Sequence, residues 1–301
     1  MELCRALLQG ILCVISVYAY RVVHESKPMK RDLNIMQDLR TLPSWEVIAI
    51  KASQKDSILE VGFLKTRASN EPRSKYMIRF LDEDDLQEVI KLQEIVLNNL
   101  NDPELYYPAS IELLQEYLGR ERSAIGVEID EGIVGFSCIH MPGENEQNLG
   151  RDIRMSREDL KKAANIQFTF VHPDYRGNAF QMKLIKHILD IIKDLGYCHA
   201  LCTVSPKNYH SLRNMFQNGL LIKEITTKYG GLLRFILYKN ININSNPTWQ
   251  DVITIESSDI YGQKKLLNEG YLGFNASKIS NEILILYGRI MSESKVIESF
   301  Q

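Results

Sequence analysis

The sequence has almost no excess charge of either sign, since its 36 Lys and Arg residues are matched by 38 Asp and Glu residues. A protein that holds a nucleic acid needs clustered cations to neutralise the phosphates. We therefore expect no nucleic-acid partner. With 301 residues, 45% of them hydrophobic, the chain can bury a full core in one large domain or two ordinary ones.

Cysteine motifs are also lacking. The five cysteines are odd in number, and no two of them form a Cys-x-x-Cys pair. Disulfide frameworks use even numbers of cysteines, and zinc sites use closely spaced pairs. The sequence therefore predicts neither a disulfide-bonded secreted fold nor a metal site, and we expect the protein to work in the reducing cytoplasm.

Long apolar runs are scarce. The most apolar stretch, residues 6–23, is interrupted by Gln9 and Arg21 and is short for a bilayer span. It has neither a basic region before it nor a small-residue cleavage site after it. We expect a buried helix or strand and no membrane partner, and a membrane anchor is the alternative.

Changes in composition divide the chain into three parts. A polar stretch at 68–75 and an Asn- and Pro-containing stretch at 244–247 predict boundaries. The parts are an N-terminal extension at 1–75, a central domain at 76–242 and a C-terminal extension at 243–301. Because neither extension can hold a broad core alone, we expect the two to pack together, as a small α+β region, or against the central sheet.

The extensions have their own predicted elements. The first combines a helix with a hairpin of strands 45–51 and 58–64, and the last has a strand at 252–255, a helix at 259–268 and a strand at 282–287.

In the central part, helical and strand-like patterns alternate, which predicts a mixed α/β sheet. The predicted strands are 77–81, 123–129, 133–140, 166–171, 198–204, 220–228 and 232–240. Four helices are predicted. The first begins after the acidic residues 82–85, the second covers 111–118, the third ends at Gly196 and the fourth ends at Asn218. Residues 142–164 form an insertion between strands.

The segment 171–181 joins a strand directly to an amphipathic helix. Backbone N–H groups at a helix N-terminus have no partner within the helix and lie at the positive end of its dipole, so they can bind a pyrophosphate. Gly177 and the small Ala179 would allow a phosphate to approach the main chain. Alternatively, the glycine is only a turn residue.

This segment resembles the coenzyme A loop of the GNAT superfamily of N-acetyltransferases, which has the pattern Gln/Arg-x-x-Gly-x-Gly/Ala. The resemblance extends over about residues 77–241. Arg176 matches the first position, Ala179 stands where glycine is usual, and Gln181 stands where glycine or alanine is usual. We expect a negative φ at Ala179, as at a helix start, and we expect the Gln181 side chain to approach the phosphates or ribose.

A second feature strengthens the resemblance. Asn208 and Ser211 match the family's Asn-x-x-Ser/Ala helix, which lies beside the pantetheine arm, although Asn208 can also be a helix N-cap. Many relatives have a tyrosine seven residues after this asparagine, and its hydroxyl protonates the departing thiolate. Here that position is Met215.

The resemblance implies a GNAT fold, with a mixed and mostly antiparallel sheet whose central strands 165–171 and 198–204 splay apart. It also implies acetyl-CoA as the acyl donor and no metal. The residues expected to contact coenzyme A are Phe170, Val171, Arg176, Gly177, Asn178, Ala179, Phe180, Gln181, Asn208 and Ser211.

The implied reaction is direct attack by a neutral primary amine in a ternary complex. Candidate bases, by position only, are Glu128, His140 and Glu144, and Tyr209 or solvent would protonate the thiolate. His140 can instead be an interior histidine without a catalytic role.

Glu104, Tyr106 and Tyr107 are expected at the acceptor pocket, with simple packing as the alternative. The expected acceptor is a small-molecule or protein amine, and a second copy of the chain, as in a homodimer, is a further candidate partner. The alternative functions are a non-catalytic coenzyme A-binding or regulatory module and a partner-binding protein without a cofactor.

Overall fold

The computed structural model describes residues 58–65, 74–243 and 247–291. The apolar stretch at 6–23 and the predicted strand at 45–51 lie outside these residues. Within the described ranges, no helix is long and apolar enough to cross a membrane.

The described strands form one mixed sheet in the order β1-β2-β3-β4-β5-β6-β8-β7-β10-β11-β9. All neighbouring strands are antiparallel except β5 and β6, which are parallel, so the predicted mixed and mostly antiparallel sheet is confirmed. The strands are β1 Ile58–Phe63, β2 Lys75–Phe80, β3 Ala124–Ile129, β4 Gly132–His140, β5 Ala163–Val171, β6 His199–Val204, β7 Leu221–Lys228, β8 Leu232–Asn240, β9 Trp249–Glu256, β10 Leu272–Ile279 and β11 Glu282–Ile290.

Helices cover both faces of this sheet. The α-helices of the described residues are α1 Leu86–Asn98, α2 Ile111–Leu118, α3 Arg157–Lys161, α4 Phe180–Asp194, α5 Tyr209–Gln217 and α6 Ile260–Asn268. Short 3-10 turns precede or follow several of them. Ser110, Ser156, Asn208 and Asp259 cap the starts of α2, α3, α5 and α6 through their side-chain oxygens.

Alternating residues of β3 enter two hydrophobic cores. Ile125 and Val127 pack in the same cluster as Leu184 of α4 and Leu212 of α5, whereas Ala124 belongs to the cluster that contains α1 and α2. Successive residues of a strand point to opposite faces of the sheet. Helices α4 and α5 therefore cover one face, and α1 and α2 cover the other.

Strands β5 and β6 separate in the middle of the sheet. They are paired only where Ala163, Ala164 and Asn165 face the first residues of β6. Beyond Asn165, β5 stays paired with β4 as far as Val171, and β6 stays paired with β8 as far as Val204. The predicted splay is confirmed, and it opens a gap between two strands that are each held on their outer edge.

The C-terminal strands continue the same sheet beyond β7. Gly273 of β10 lies opposite Ile222 of β7. A Cβ atom on Gly273 would lie 2.9 Å from Ile222 Cδ1, so this close approach requires glycine. The Ser257 hydroxyl donates a hydrogen bond of 2.7 Å to the carbonyl of Pro206, just before α5.

The described extensions lie at opposite edges of the sheet, with β1 at one edge and β9, β10 and β11 at the other. Residues 247–291 thus pack as additional strands of the sheet, rather than as a separate small region. Strand β10 was not expected from the sequence. The three domain boundaries themselves stay a prediction.

A carboxylate on β1 joins this edge strand to its neighbours. Glu60 accepts a hydrogen bond of 2.6 Å from the Tyr76 hydroxyl and one from Lys183, and His187 Nε2 lies 2.9 Å from its second oxygen. Partial burial raises the pKa of Glu60, but the hydrogen bonds from Lys183, Tyr76 and His187 outweigh this effect and lower the pKa to about 2.

Replacing this carboxylate should weaken the fold in a pH-dependent way. The folded-state pKa lies below the ordinary value of 4.5. The ionised carboxylate therefore stabilises the fold above about pH 4.5, and this stabilisation is lost as the pH falls toward 2. We expect Glu60→Gln to lower the free energy of unfolding at pH 7, because it removes the charged partner of Lys183. The loss should be only about 1 kcal/mol, because Glu60 is partly exposed and solvent screens its charge.

Urea unfolding at several pH values measures this difference, with the exposed Glu121→Gln as the matched control. The difference between wild type and Glu60→Gln should shrink as the pH falls from about 4.5 toward 2. A difference that does not change with pH would contradict the ionic role of Glu60.

Candidate active site

The gap between β5 and β6 opens into a cleft with about 650 Å³ of free space, including its open mouth. Residues from both faces of the sheet line it, so the cleft passes through the sheet at the splay. The lining residues are Ile166–Thr169 of β5, Cys202–Ser205 at the end of β6, Gln181, Asn208, Ser211 and Met215 on the α4 and α5 side, and Leu105–Tyr107, Tyr229 and Arg234.

The loop before α4 has two residues in the left-handed region. Gly177 has a φ of 88° and Ala179 has a φ of 60°. The expected negative φ at Ala179 is wrong, because Ala179 is the residue before the first helical turn and reverses the chain into α4. This conformation explains why glycine would be the favoured residue there. Arg176 is exposed beside them.

The N-terminus of α4 has no side-chain cap among the described residues. Its first intrahelical bond runs from Lys183 N to Ala179 O, at 3.0 Å. The earlier N–H groups thus have no partner within the helix. Phe180 contributes only its main chain to this end, because its ring is buried against Tyr76 with a centroid distance of 4.9 Å.

Asn178 fixes the shape of the loop. Its side-chain oxygen accepts a hydrogen bond of 2.7 Å from Lys65 N, and its amide donates one of 3.0 Å to Tyr175 O. The side chain is therefore engaged within the protein, and the main chain of Asn178 is the part that can face a ligand.

Gln181 extends toward α5. Its amide donates to Ser211 Oγ at 3.2 Å, and its carbonyl oxygen accepts from Asn214 at 2.7 Å. These bonds link the first turn of α4 to α5, and the approach of the Gln181 side chain to the phosphates or ribose stays a prediction. Asn208 caps α5 by accepting from Ser211 N at 3.0 Å.

Phe170 and Val171 lie where the sequence placed them. Both are paired through the main chain with β4, and the Phe170 ring is buried in the core under α1. On the side toward β6, no described strand pairs with residues 166–171. Main-chain groups on this edge can bind an extended ligand that lies in the gap.

Glu128 lies outside the cleft. Its carboxylate accepts a hydrogen bond from Arg79, and Arg79 also forms a two-pronged ion pair with Asp85 at 2.8 Å. Strand β3, which carries Glu128, is separated from the gap by β4 and β5. The structure gives this carboxylate a structural partner rather than access to a substrate.

His140 is buried on β4 against the ring of Tyr117, with a centroid distance of 5.8 Å. Neither ring nitrogen has a hydrogen-bond partner among the residues the structure describes. Burial, aided by the nearby Arg120, lowers the pKa of His140, which keeps the imidazole neutral. His140 does not line the cleft.

The two other candidates for proton transfer also lie away from the cleft lining. Glu144 forms ion pairs with Arg157 and Lys161 at 2.8 and 3.6 Å. Tyr209, in the first turn of α5, contacts the ring of His210.

Two of the three residues expected at the acceptor pocket line the cleft. Tyr106 packs its ring against Phe170 and donates a hydrogen bond of 3.0 Å to Gln93, and Tyr107 is half exposed. Glu104 lies outside the lining and forms an ion pair of 2.6 Å with Lys207.

Residues 90–219, which contain the loop before α4, helix α4 and the whole of α5, match the family model of the Acetyltransferase (GNAT) family. This part of the chain is a GNAT-family domain. No curated protein sequence matches the chain.

Solved structures with similar folds include an N-acetyltransferase from Staphylococcus aureus, at 14% identity and a TM-score of 0.42, over 56% of this chain and 99% of that one. A putative acetyltransferase from Salmonella typhimurium, in complex with acetyl-CoA, has 16% identity and a TM-score of 0.42, over 57% of this chain and 98% of that one. A GNAT-family acetyltransferase from Streptococcus pneumoniae has 13% identity and a TM-score of 0.44, over 56% and 99%.

The cleft of the GNAT domain contains residues that sequence reasoning missed. Tyr229, in the β7–β8 hairpin, stacks on Tyr107 with a centroid distance of 4.8 Å and shares a hydrogen bond of 3.0 Å with Thr203. Its φ is 53°, although tight turns usually place Asn, Asp or Gly in this region. A tyrosine directly before Gly230 and Gly231 was the available signal, because a large ring in such a turn is strained.

Two side chains of the GNAT cleft exclude particular catalytic roles at their positions. Met215 is buried in the lining, so the position of the usual tyrosine has no hydroxyl. The thiol of Cys202 also lies in the lining, and burial raises its pKa far above the ordinary value. Because a thiolate is the nucleophilic form, Cys202 is not suited to form an acyl-enzyme.

The left-handed residues of the GNAT loop give a matched pair of stability predictions. We expect Ala179→Gly to raise the free energy of unfolding by about 1 kcal/mol, because it relieves a left-handed alanine. We expect Gly177→Ala to lower it by about 1–2 kcal/mol, although no atom lies within 4 Å of the added Cβ.

Urea unfolding of both variants measures these changes. If Ala179→Gly instead lowered stability, as glycine does in ordinary helical positions, the left-handed conformation of Ala179 would be wrong.

Proposed function

We propose that the GNAT domain transfers an acetyl group from acetyl-CoA to a primary amine, in a ternary complex and without a covalent enzyme intermediate. The observation that carries the proposal is the gap between β5 and β6, which has an unpaired β5 edge on one side and leads to the uncapped N-terminus of α4.

The residues present fit acetyl-CoA. The main-chain N–H groups from Gly177 to Gln181 would hold the pyrophosphate, because this helix end carries free donors and a positive dipole. The exposed Arg176 can add a charge-assisted contact. The main chain of Phe170 and Val171 and the polar groups of Asn208 and Ser211 would accompany the pantetheine arm.

Acetyl-CoA supplies an activated thioester, so the enzyme's task is alignment of the amine and control of protons. Among the described residues that line the cleft, none is a carboxylate or an imidazole. We propose that the amine loses its proton to water and attacks as the neutral base, with neither Glu128 nor His140 in that role.

We propose that the hydroxyl of Tyr229, rather than that of Tyr209, protonates the departing thiolate. The hydroxyl of Tyr229 lies on the cleft wall beside Thr203. Burial raises the pKa of Tyr229, so the hydroxyl keeps its proton at neutral pH and can donate a hydrogen bond. This places the function of the usual tyrosine on a different element.

A second candidate function is a coenzyme A-binding module without turnover. Met215 at the usual tyrosine position and a described cleft without a carboxylate or imidazole favour it. Cofactor binding is common to both functions, and product formation separates them. Action in the cytoplasm, a small-molecule or protein acceptor and a homodimer stay predictions.

Binding is tested by thermal unfolding of the full-length protein with and without acetyl-CoA. At about a hundredfold excess over Kd, ligand linkage adds about 2.7 kcal/mol of stability. Gly177→Asp places a carboxylate at the proposed pyrophosphate site and should abolish the shift.

The matched control is Gly196→Asp, because Gly196 also has a positive φ, of 82°, and nothing within 4 Å of an added Cβ, but lies at the other end of α4. Gly196→Asp should keep the shift. Equal loss of the shift in both variants, or no shift in wild type, would contradict the proposal.

Turnover is followed by the release of free coenzyme A thiol with a panel of amines. Tyr229→Phe should lower kcat about 10-fold or more with little change in the KM for acetyl-CoA, while Tyr209→Phe leaves kcat unchanged. A clear thermal shift with no thiol release from any amine would favour the binding module.

A further inference from the structure

A buried guanidinium on β8 lines the cleft and has no role in the proposed acetyl-CoA site. Arg234 is 3% exposed and lines the cleft. One of its terminal nitrogens donates a hydrogen bond of 2.9 Å to Leu233 O. The other, Nη2, is buried without a hydrogen-bond partner among the described residues.

Arg234 also has no ion-pair partner in the described part of the chain. The closest acidic influence comes from Glu104 and Asp102, but Lys207 already binds both carboxylates, at 2.6 and 3.3 Å. The ring of Tyr229 lies beside the guanidinium, with a distance of 5.8 Å to its centroid. An aromatic face attracts a cation but satisfies none of its N–H donors.

A charge in this state is costly to keep. A buried cation without a carboxylate partner loses its hydration and gains little in return. Accordingly, burial lowers the pKa of Arg234, yet the guanidinium stays charged at neutral pH. Departures from ordinary packing of this kind are expected at functional sites, where a ligand can complete the interactions.

From this geometry we infer that the acceptor is an amine that also carries a carboxylate, as a small amino acid does, and that Arg234 binds this carboxylate. The inference rests on the proposed acetyltransferase function and names its substrate class. The planar guanidinium matches a carboxylate through two parallel hydrogen bonds. Arg234 is thus a substrate-binding residue on the wall opposite α4 and α5.

The surrounding walls fit the same ligand. Tyr107 and Tyr229 form a stacked pair next to Arg234, and Thr203 adds a hydroxyl. Tyr229 holds a strained left-handed conformation, and its side chain lies in the cleft lining. An anion bound at Arg234 would therefore have the rings of Tyr107 and Tyr229 beside it and the gap between β5 and β6 beyond these rings.

The test compares acceptors that differ only in the carboxylate. The proteinogenic L-amino acids, their carboxamides and spermidine are supplied with acetyl-CoA to the full-length protein, and thiol release is measured. We expect acetylation of at least one free amino acid, with a kcat/KM about 10- to 100-fold above that of its carboxamide. The carboxamide cannot form the charge-assisted hydrogen bonds to Arg234, and the loss of such bonds lowers kcat/KM by about this factor.

Arg234→Gln should raise the KM for that amino acid about 10- to 100-fold, whereas the KM for acetyl-CoA and the acetyl-CoA-induced thermal shift stay near wild type. Arg234→Lys should recover only part of the loss, because an ammonium cannot form the paired hydrogen bonds. Arg157→Gln, at a side chain that is 86% exposed, is the control with the same change of charge.

A further readout does not depend on turnover. Without ligand, Arg234→Met should melt at the same temperature as wild type or higher, because it removes an unpaired buried charge. A lower melting temperature would mean that Arg234 serves the fold, and the inference would be wrong.

Failures of the two proposals look different. Absence of both a thermal shift and thiol release with acetyl-CoA contradicts the proposed function. If carboxamides or spermidine are acetylated as well as the amino acids, and Arg234→Gln acts alike on all, the acetyltransferase stands and the carboxylate inference falls. Succinyl-CoA tests the other source of a carboxylate, since preference for it over acetyl-CoA, lost in Arg234→Gln, would assign Arg234 to the acyl group and overturn the inference.

Discussion

The parting of β5 and β6 after Asn165 is the constraint on which the rest of the structure depends. A sheet normally satisfies every main-chain N–H and C=O of its inner strands, and unpaired groups are costly when they are buried. Here a central strand leaves one edge open over residues 166–171. Only a solvent-filled or ligand-filled cleft makes this arrangement acceptable, so the opening and the site are the same feature.

The open edge is stable because its surroundings are firmly held. Strand β5 is paired with β4 along its outer edge, and β6 is paired with β8 along its full length. Helix α5 is connected to α4 through Gln181, and Ser257, which follows β9, donates a hydrogen bond to the carbonyl of Pro206 just before α5. A site of this kind needs rigid support to keep its ligand-binding groups in register.

Much of this arrangement follows from local sequence patterns. The apolar period of α4 and the Gly-Gly turn between β7 and β8 are strong signals, and both elements lie where they were predicted. The loop at 172–179 also lies between β5 and α4 as predicted. In contrast, β10 was missed, because Gly273, Asn275 and Lys278 are residue types that are depleted in strands. Its position also depends on the contact of Gly273 with Ile222.

The chemistry of the cleft was less predictable, because it depends on which side chains meet across elements. Glu128 and His140 were chosen for their place on central strands, but Arg79 binds the first and the second is buried in the core. The tyrosine before Gly230 marks a strained turn but does not show that Tyr229 faces the gap, and the sequence of β8 gives no sign that Arg234 faces it. The left-handed φ of Ala179 required knowledge of how the loop reverses before α4.

Hydrogen exchange of backbone amides, with and without acetyl-CoA, tests the central claim that the gap between β5 and β6 holds the cofactor. The account predicts slower exchange in two segments, the open β5 edge at 166–171 and the start of α4 at 177–182, and unchanged exchange in β10 and β11 at the far edge of the sheet. Unchanged exchange in both segments at saturating acetyl-CoA, or slowing confined to other parts of the chain, would contradict it.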